Sequence, residues 1–182
     1  MIVLIGESGC GKSTVESELV DRGYRKAISL TSRESRVGEV EGQSYFFRSR
    51  PELEALRAAG KIAEWIEYMG NVYALTKEEC MKADVVVVEP NGLKQLQEIE
   101  GLNLEVVYLK CSEEVREARM RSRGDSEDNI QKRLDNDREH FSGLSEISDI
   151  VINVDNRSIE EITNIVECLI HNKIRHRLFG NS

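Results

Sequence analysis

The sequence predicts an α/β protein: a parallel sheet with helices on both faces, interrupted by an inserted lobe and a short arm. Three observations carry this expectation. Short Val/Ile-rich runs alternate with amphipathic stretches from one end of the chain to the other. A glycine-rich turn, residues 6–11, joins the first apolar run to the first amphipathic one. The segment 30–82 then breaks the alternation with Gly38, Gly42, Gly60 and Gly70. Strand–helix–strand repetition demands crossovers, which are right-handed and cover both faces of a parallel sheet.

The elements follow in order. Residues 1–5 are apolar throughout, as in a strand buried on both faces. Residues 13–21 are expected as a helix stopping near Gly23, and 25–29 as a second core strand. Within the lobe, 44–48 and 62–68 are short strand candidates around a helix, 52–59, started by Pro51. Thr76-Lys77-Glu78-Glu79 spells a capping box that returns the chain to the main sheet. Residues 84–89, 104–110 and 149–154 supply further buried strands. Ser112-Glu113-Glu114 opens a helix ahead of 115–120, and Ser158-Ile159-Glu160-Glu161 is a capping box ahead of 162–174. Residues 119–133, dense in arginine and polar groups, read as an exposed arm and not as core. The division expected is one domain: a core of 1–29, 83–118 and 134–182, a lobe of 30–82 and an arm of 119–133.

Composition narrows the function classes. The 182 residues carry a net charge of −8, from 33 acidic and 25 basic side chains, which disfavours a general nucleic-acid binder. No apolar run approaches membrane-spanning length, and residues 1–5 have neither a basic start nor a cleavage site behind them. Cys10, Cys80, Cys111 and Cys168 show no paired spacing. They read as reduced thiols of a cytoplasmic protein, not as a disulfide frame or a zinc site. Composition leaves monomer and homodimer open. His140, His171 and His176 lie outside every motif and are taken as surface or packing residues.

The chemistry begins at Gly6-Glu7-Ser8-Gly9-Cys10-Gly11-Lys12-Ser13, which fits G-x-x-x-x-G-K-[ST]. Glycines let such a loop curl so that its N–H groups point inward at phosphate oxygens, and the following helix adds its positive end. Lys12 reaches the terminal phosphates and the Ser13 hydroxyl binds Mg²⁺, with Thr14 next in the same turn. Chance alone produces the pattern on the order of once in 150 chains of this length, so context decides. An apolar strand directly before and a helix directly after are what the mechanism demands. The loop marks a binder of nucleotide phosphates in a P-loop NTPase-type sheet, with Cys10 as a small filler.

The lobe carries a resemblance. Thr31-Ser32-Arg33-Glu34-Ser35-Arg36-Val37-Gly38-Glu39, Gly42, Ser44-Tyr45-Phe46-Phe47, Glu64-Trp65 and Gly70-Asn71-Val72-Tyr73 resemble the nucleoside-monophosphate-binding region of the guanylate kinases. The similarity runs from the phosphate loop to Asn153, nearly the whole chain. It implies a kinase that moves phosphate from Mg·ATP to a purine nucleoside monophosphate, most simply GMP or dGMP. By the same resemblance Arg33, Arg36, Tyr45 and Tyr73 hold the acceptor phosphate, and Ser29 and Glu64 read the base. An ionised Glu64 suits guanine, whose N1–H and N2–H₂ present two donors; adenine offers none at N1. Glu89 ends a strand where open α/β sheets place ligand groups, at a family position near the acceptor nucleoside or the metal's water shell. Arg119, Arg123 and Arg133 match arginines of the family's mobile lid, which act with Lys12 and Arg33 on the transferred phosphoryl group. Asn153 is implied beside the donor adenine. Trp65 is assigned to core and Arg121 to a solvated face.

The pattern also departs from the family. Ala74-Leu75 follows Tyr73 where Gly-Thr or Gly-Ser is usual, so a hydroxyl expected near the purine is gone. Glu34-Ser35 replaces the usual proline between the two arginines, Val87 replaces an aspartate, and the lid is one residue short. Two alternatives accordingly stand beside the leading reading. One is a kinase of the same fold acting on a modified nucleotide or a phosphorylated sugar, as in the ribose-bisphosphate kinases. The other is a catalytically silent binding module.

Overall fold

A computed structural model describes residues 1–68 and 70–179, the last six by backbone alone. In chain order the elements are β1 (Ile2–Ile5), α1 (Lys12–Asp21), β2 (Leu30–Thr31), β3 (Phe46–Phe47), α2 (Arg50–Ala58), β4 (Ile62–Tyr68), β5 (Asn71–Thr76), α3 (Lys77–Lys82), β6 (Val85–Val87), α4 (Pro90–Gln97), β7 (Glu105–Lys110), α5 (Glu113–Ser122), α6 (Glu127–His140), α7 (Leu144–Ile147), β8 (Ile150–Asn153) and α8 (Ile159–Phe179). The expected parallel sheet is present, with order β6-β1-β7-β8.

Alternation along these strands sorts their side chains into two cores. Ile2, Leu4, Val85, Val107, Leu109 and Ile152 face Val15 and Leu19 of α1 and Ile162, Val166 and Ile170 of α8. Val3, Ile5, Val86, Val88, Val106 and Tyr108 face Cys80 of α3, Leu93 and Leu96 of α4, and Leu144 of α7. A strand covered on both faces needs apolar residues at both parities, which is why its sequence is a run and not an alternation.

A second sheet, β3-β2-β5-β4, is built wholly from residues between Leu30 and Thr76. β2 pairs parallel to β3 and antiparallel to β5, and β4 is antiparallel to β5. Strand β5 has no counterpart among the expected strands, because its residues alternate only weakly. A register shift between Ile62 and Glu64 puts an extra residue into β4 and sets Glu64 directly opposite Leu75. α2 starts earlier than expected because Ser49 caps it. The Ser49 N–H and hydroxyl both donate to Glu52, at 2.8 and 2.6 Å.

Residues 25–29 correct an expectation, for they do not form a second core strand. Lys26 makes a single bridge to Val85, and the Ala27 N–H donates to the Val85 carbonyl. The ladder stops there because the Ile28 N–H is taken by the Glu79 carboxylate at 3.3 Å. That same carboxylate accepts from Arg25 at 2.8 Å, so only half of the Thr76 capping box forms: the Glu79 N–H donates to the Thr76 hydroxyl, at 3.1 Å. Helix α4 likewise has no counterpart among the expected helices. The strand candidate at 44–48 shrinks to β3.

The arm at 119–133 differs most from its expectation. It is not a bare exposed arm but the end of α5, a turn at Gly124 and the first half of α6. Met120, Ile130 and Leu134 bury against one another as a small core of their own. The apolar residues are few but recur at helical spacing, which the arginine density masked.

Candidate active site

The carboxyl ends of the parallel strands converge on one edge. Gly6 follows β1, Glu89 follows β6, Cys111 follows β7 and Asn153 ends β8. In open α/β sheets ligands sit at this edge. The loop 6–11 is forced there by close packing. A Cβ on Gly6 (φ 154°) would stand 2.7 Å from the Leu109 carbonyl oxygen and 2.8 Å from Cys10 Sγ. Gly11, at φ 102°, caps α1 in the left-handed region. Lys12 Nζ donates to the Gly6 and Glu7 carbonyls, at 2.5 and 2.9 Å, and so spans the loop's concavity. Ser13 and Thr14 are exposed in the first turn of α1. Cys10 is fully buried, and burial pushes its thiol up against the opposing pull of Lys12. Glu7 accepts from the Tyr108 hydroxyl at 2.7 Å, while its other carboxylate oxygen is buried without a partner.

On the second sheet Arg33, Tyr45 and Tyr73 form one cluster. The Arg33 guanidinium lies 5.5 Å from the Tyr45 ring centroid, and the two tyrosine rings meet edge-on at 6.0 Å. Both terminal nitrogens of Arg33 donate to Glu39, at 3.0 and 2.7 Å, which holds the Glu39 carboxyl below its usual range. Arg33 Nε is buried without a partner. The Arg36 N–H also donates to Glu39, at 2.7 Å, leaving the Arg36 side chain exposed beside the cluster. Ser29 is half-buried just before β2, its carbonyl accepting from the Phe46 N–H.

Glu64 is buried at 7% exposure against the first turn of α4. A Cβ on Gly92 would stand 1.9 Å from Glu64 Oε1, so only glycine admits the carboxyl there. Burial, and secondly the charge of Glu89, push Glu64 up to about 7. Burial thus works against the ionised Glu64 that guanine calls for, so the free carboxyl holds its proton more readily than an exposed glutamate does. Glu89, raised by its own burial, feels Lys12, Asp137 and His140. Leu75, opposite Glu64, is 1% exposed and belongs to the main core.

The arginines of the arm part company. Arg119 reaches the phosphate loop, its guanidinium donating to the Cys10 and Val154 carbonyls, each at 3.3 Å. Arg123 pairs with Asp125 at 2.8 Å, half-exposed, and Arg133 lies exposed on α6. The structure does not bring either of these to the loop. Asn153 accepts from the Asp155 N–H at 3.0 Å, at the strand end beside Val154.

A family model described as guanylate kinase matches residues 1–173. The chain belongs to the guanylate kinase family. It is 36% identical over 164 residues to the guanylate kinase of Parasynechococcus marenigrum, covering 85% of this chain and 90% of that one. It is 34% identical over 181 residues to that of Trichodesmium erythraeum, covering 94% and 96%, and 35% identical over 178 residues to that of Rhizobium meliloti, covering 92% and 81%. The crystal structure of guanylate kinase from Anaplasma phagocytophilum superposes with a TM-score of 0.69 over 100% of this chain and 96% of that one, at 23% identity, a likeness of fold.

Sequence reasoning assigns no role to four residues of this guanylate kinase family member, although one of them, Glu39, stands within the motif that carries the resemblance. Glu39 and Gly92 had a local signal: an acid three residues past Arg36, and a glycine just inside a proline-started helix. Arg116 and Asp137 had none; they form a buried ion pair behind the phosphate loop. Trp65, assigned to core, is partly buried and packs on the lobe's own apolar cluster, with Arg57 stacked 4.7 Å over its ring. Arg121 is half-exposed between Glu117 and Glu127. His171 bonds Tyr24 at the surface, His140 is exposed, and the side chain of His176 lies outside the described residues. A cavity of about 790 Å³ lies at the opposite end of β1, between Met81, Leu102 and Lys173. It shares no residue with the site, and the strand-end geometry, not cavity size, identifies the chemistry. Among the described residues no helix is long and apolar enough to cross a membrane.

Proposed function

We propose that this chain phosphorylates GMP to GDP with ATP as donor. The observation that carries it is the pairing of an intact phosphate loop on one sheet with the Arg33–Tyr45–Tyr73 cluster and buried Glu64 on the other. Phosphoryl transfer asks little covalent chemistry of a protein, so two aligned nucleotide sites and fixed positive charge suffice.

In this reading the loop amides from Gly6 to Thr14 and Lys12 hold the donor phosphates, and Asn153 flanks the donor base. Segment 30–82 is the acceptor lobe. Arg33, kept over Tyr45 by Glu39, exchanges one carboxylate fork for the acceptor phosphate, with Arg36, Tyr45 and Tyr73 completing the shell. Glu64 accepts from guanine N1–H and N2–H₂, Ser29 donates to O6, and Glu89 lies nearby at the sheet edge. The arm 119–133 closes as a lid. Arg119 is already at the loop, whereas Arg123 and Arg133 reach the phosphates only when the turn around Gly124 and the first turns of α6 close in. Among the described residues no three His, Cys, Asp or Glu converge to hold a metal. The exposed Ser13 hydroxyl in the first turn of α1 is the protein oxygen that would hold Mg²⁺ entering with the donor phosphates. Held there, such an ion would supply charge neutralisation on the transferred group. Four free thiols support a cytoplasmic location.

Quantifying ADP formed from Mg·ATP across all ribo- and deoxyribonucleoside monophosphates tests the proposal. GMP is expected to give the highest kcat/KM, with dGMP also turned over. Turnover confined to a non-guanine acceptor would refute it.

A further inference from the structure

Arg116 on α5 and Asp137 on α6 form an ion pair at 2.8 Å, with exposures of only 4% and 3%. Nothing in the proposed transfer chemistry uses either residue. The pair ends on the phosphate loop. Asp137 accepts from the Ser8 N–H at 2.9 Å and from the Ser8 hydroxyl at 3.3 Å. Arg116 donates to the Ser8 carbonyl at 3.4 Å, and its Nε is buried without a partner. The next loop residue, Gly9 at φ 83°, rests on the Arg116 backbone so closely that a Cβ would stand 2.9 Å from the Arg116 carbonyl oxygen.

As glue between helices this pair is a poor choice. Burying two charges costs desolvation that their attraction barely recovers, and apolar replacements of similar size are often neutral or stabilising. α5 and α6 already have Met120, Ile130 and Leu134 for adhesion. A carboxylate and a guanidinium do what methyl groups cannot: they saturate the N–H, hydroxyl and carbonyl of one loop residue and fix it. The fixing element also bears the arm, since Arg133 lies one turn before Asp137 on α6.

We propose that Arg116 and Asp137 are positioning residues for phosphoryl transfer. They hold Ser8, and through it the tip of the loop, in the form that receives the donor phosphates, and they make that form depend on the seating of α6. The inference rests on the reading of 6–13 as the donor phosphate site. Without the pair, donor binding must itself order the loop, which weakens it about tenfold, while the acceptor site on the other sheet is spared.

The test compares wild type, Asp137→Asn and the double variant Arg116→Leu/Asp137→Ala, by calorimetric titration with Mg·ATP and with GMP and by thermal melting. Asp137→Ala alone leaves a buried unpaired guanidinium and risks unfolding, hence the apolar double variant. That variant is expected to melt within a few degrees of wild type, to bind Mg·ATP about tenfold more weakly and to bind GMP within twofold. Asp137→Asn keeps an oxygen for the Ser8 N–H and should recover part of the loss. A double variant that binds Mg·ATP as wild type does overturns the proposal. So does equal weakening of both nucleotides with a lowered melting temperature, which would make the pair merely structural. The two levels of failure separate: wild type without Mg·ATP binding refutes the donor-site reading, and the positioning role with it. Normal wild-type binding with an unaffected double variant refutes the positioning role alone.

Discussion

Acceptor binding should depend steeply on pH through Glu64, and the size of the effect follows from its surroundings. The carboxyl is pushed up to about 7 by burial and by Glu89, whereas guanine needs it ionised. The ionised share is then about a tenth at pH 6 and about nine-tenths at pH 8, so the Kd of GMP should fall about tenfold between them. The acceptor phosphate titrates near pH 6 on its own and adds about a factor of two. Glu64→Gln separates the contributions: it should bind GMP weakly at all pH values and retain only that twofold dependence. Stability moves the opposite way. A carboxyl raised from 4.5 to about 7 on folding binds more protons folded than unfolded across that window, so its contribution falls as pH rises through it, by about 3 kcal/mol in all. GMP should therefore raise the melting temperature more at pH 8 than at pH 6. Calorimetric titration of GMP in the absence of ATP reads Kd directly, free of the kinetic terms in KM. A wild-type Kd that changes no more than that of Glu64→Gln over this range would refute the shared proton, and Glu64→Gln binding GMP as tightly as wild type at pH 8 would refute the base-reading role.

Three further outcomes are expected. Lys12→Ala should lower turnover about 10²-fold or more with an unchanged melting temperature, since Lys12 spans the loop but buries no core; near-normal ATP-dependent activity would contradict the loop assignment. Gly92→Ala should weaken GMP binding by tenfold or more and leave Mg·ATP within twofold, because its Cβ displaces the Glu64 carboxyl; alanine otherwise suits a helix by ~1 kcal/mol, so unaltered GMP affinity would mean that Glu64 does not read the base where it now lies. Leu75→Ser should cost about 3 kcal/mol and lower the melting temperature by roughly 10 °C, as a cavity opens under a 1%-exposed site, while kcat/KM for GMP rises several-fold if the new hydroxyl reaches the purine; an unchanged melting temperature would show that the core tolerates the loss.

What the sequence reveals and what it hides divide along a physical line. The phosphate loop was legible because each of its residues answers to a local demand: glycines for close approach at Gly6 and left-handed backbone at Gly11, lysine for reach, and an apolar strand before it. The parallel sheet was legible because a strand covered on both faces leaves no other pattern. The ladder at 25–29 was not, since it ends on a hydrogen bond from Ile28 to Glu79, fifty-one residues away. Helix α6 stayed hidden because its buried side is only Ile130 and Leu134 with Asp137, and that aspartate reads as solvated until Arg116 and Ser8 are found around it. The same holds for the ionisation of Glu64, which no neighbour in sequence determines. It depends on a bulge in β4, a glycine in α4 and a second carboxylate at the end of β6. Residue type at a spacing reports what a side chain is able to do. Which proton it holds, and which backbone it grips, belongs to contacts made across the fold. The Glu64–Glu89 and Arg116–Asp137 groups are both of that second kind: in the roles proposed for them, one would set how the acceptor base is read, the other how the donor loop is held.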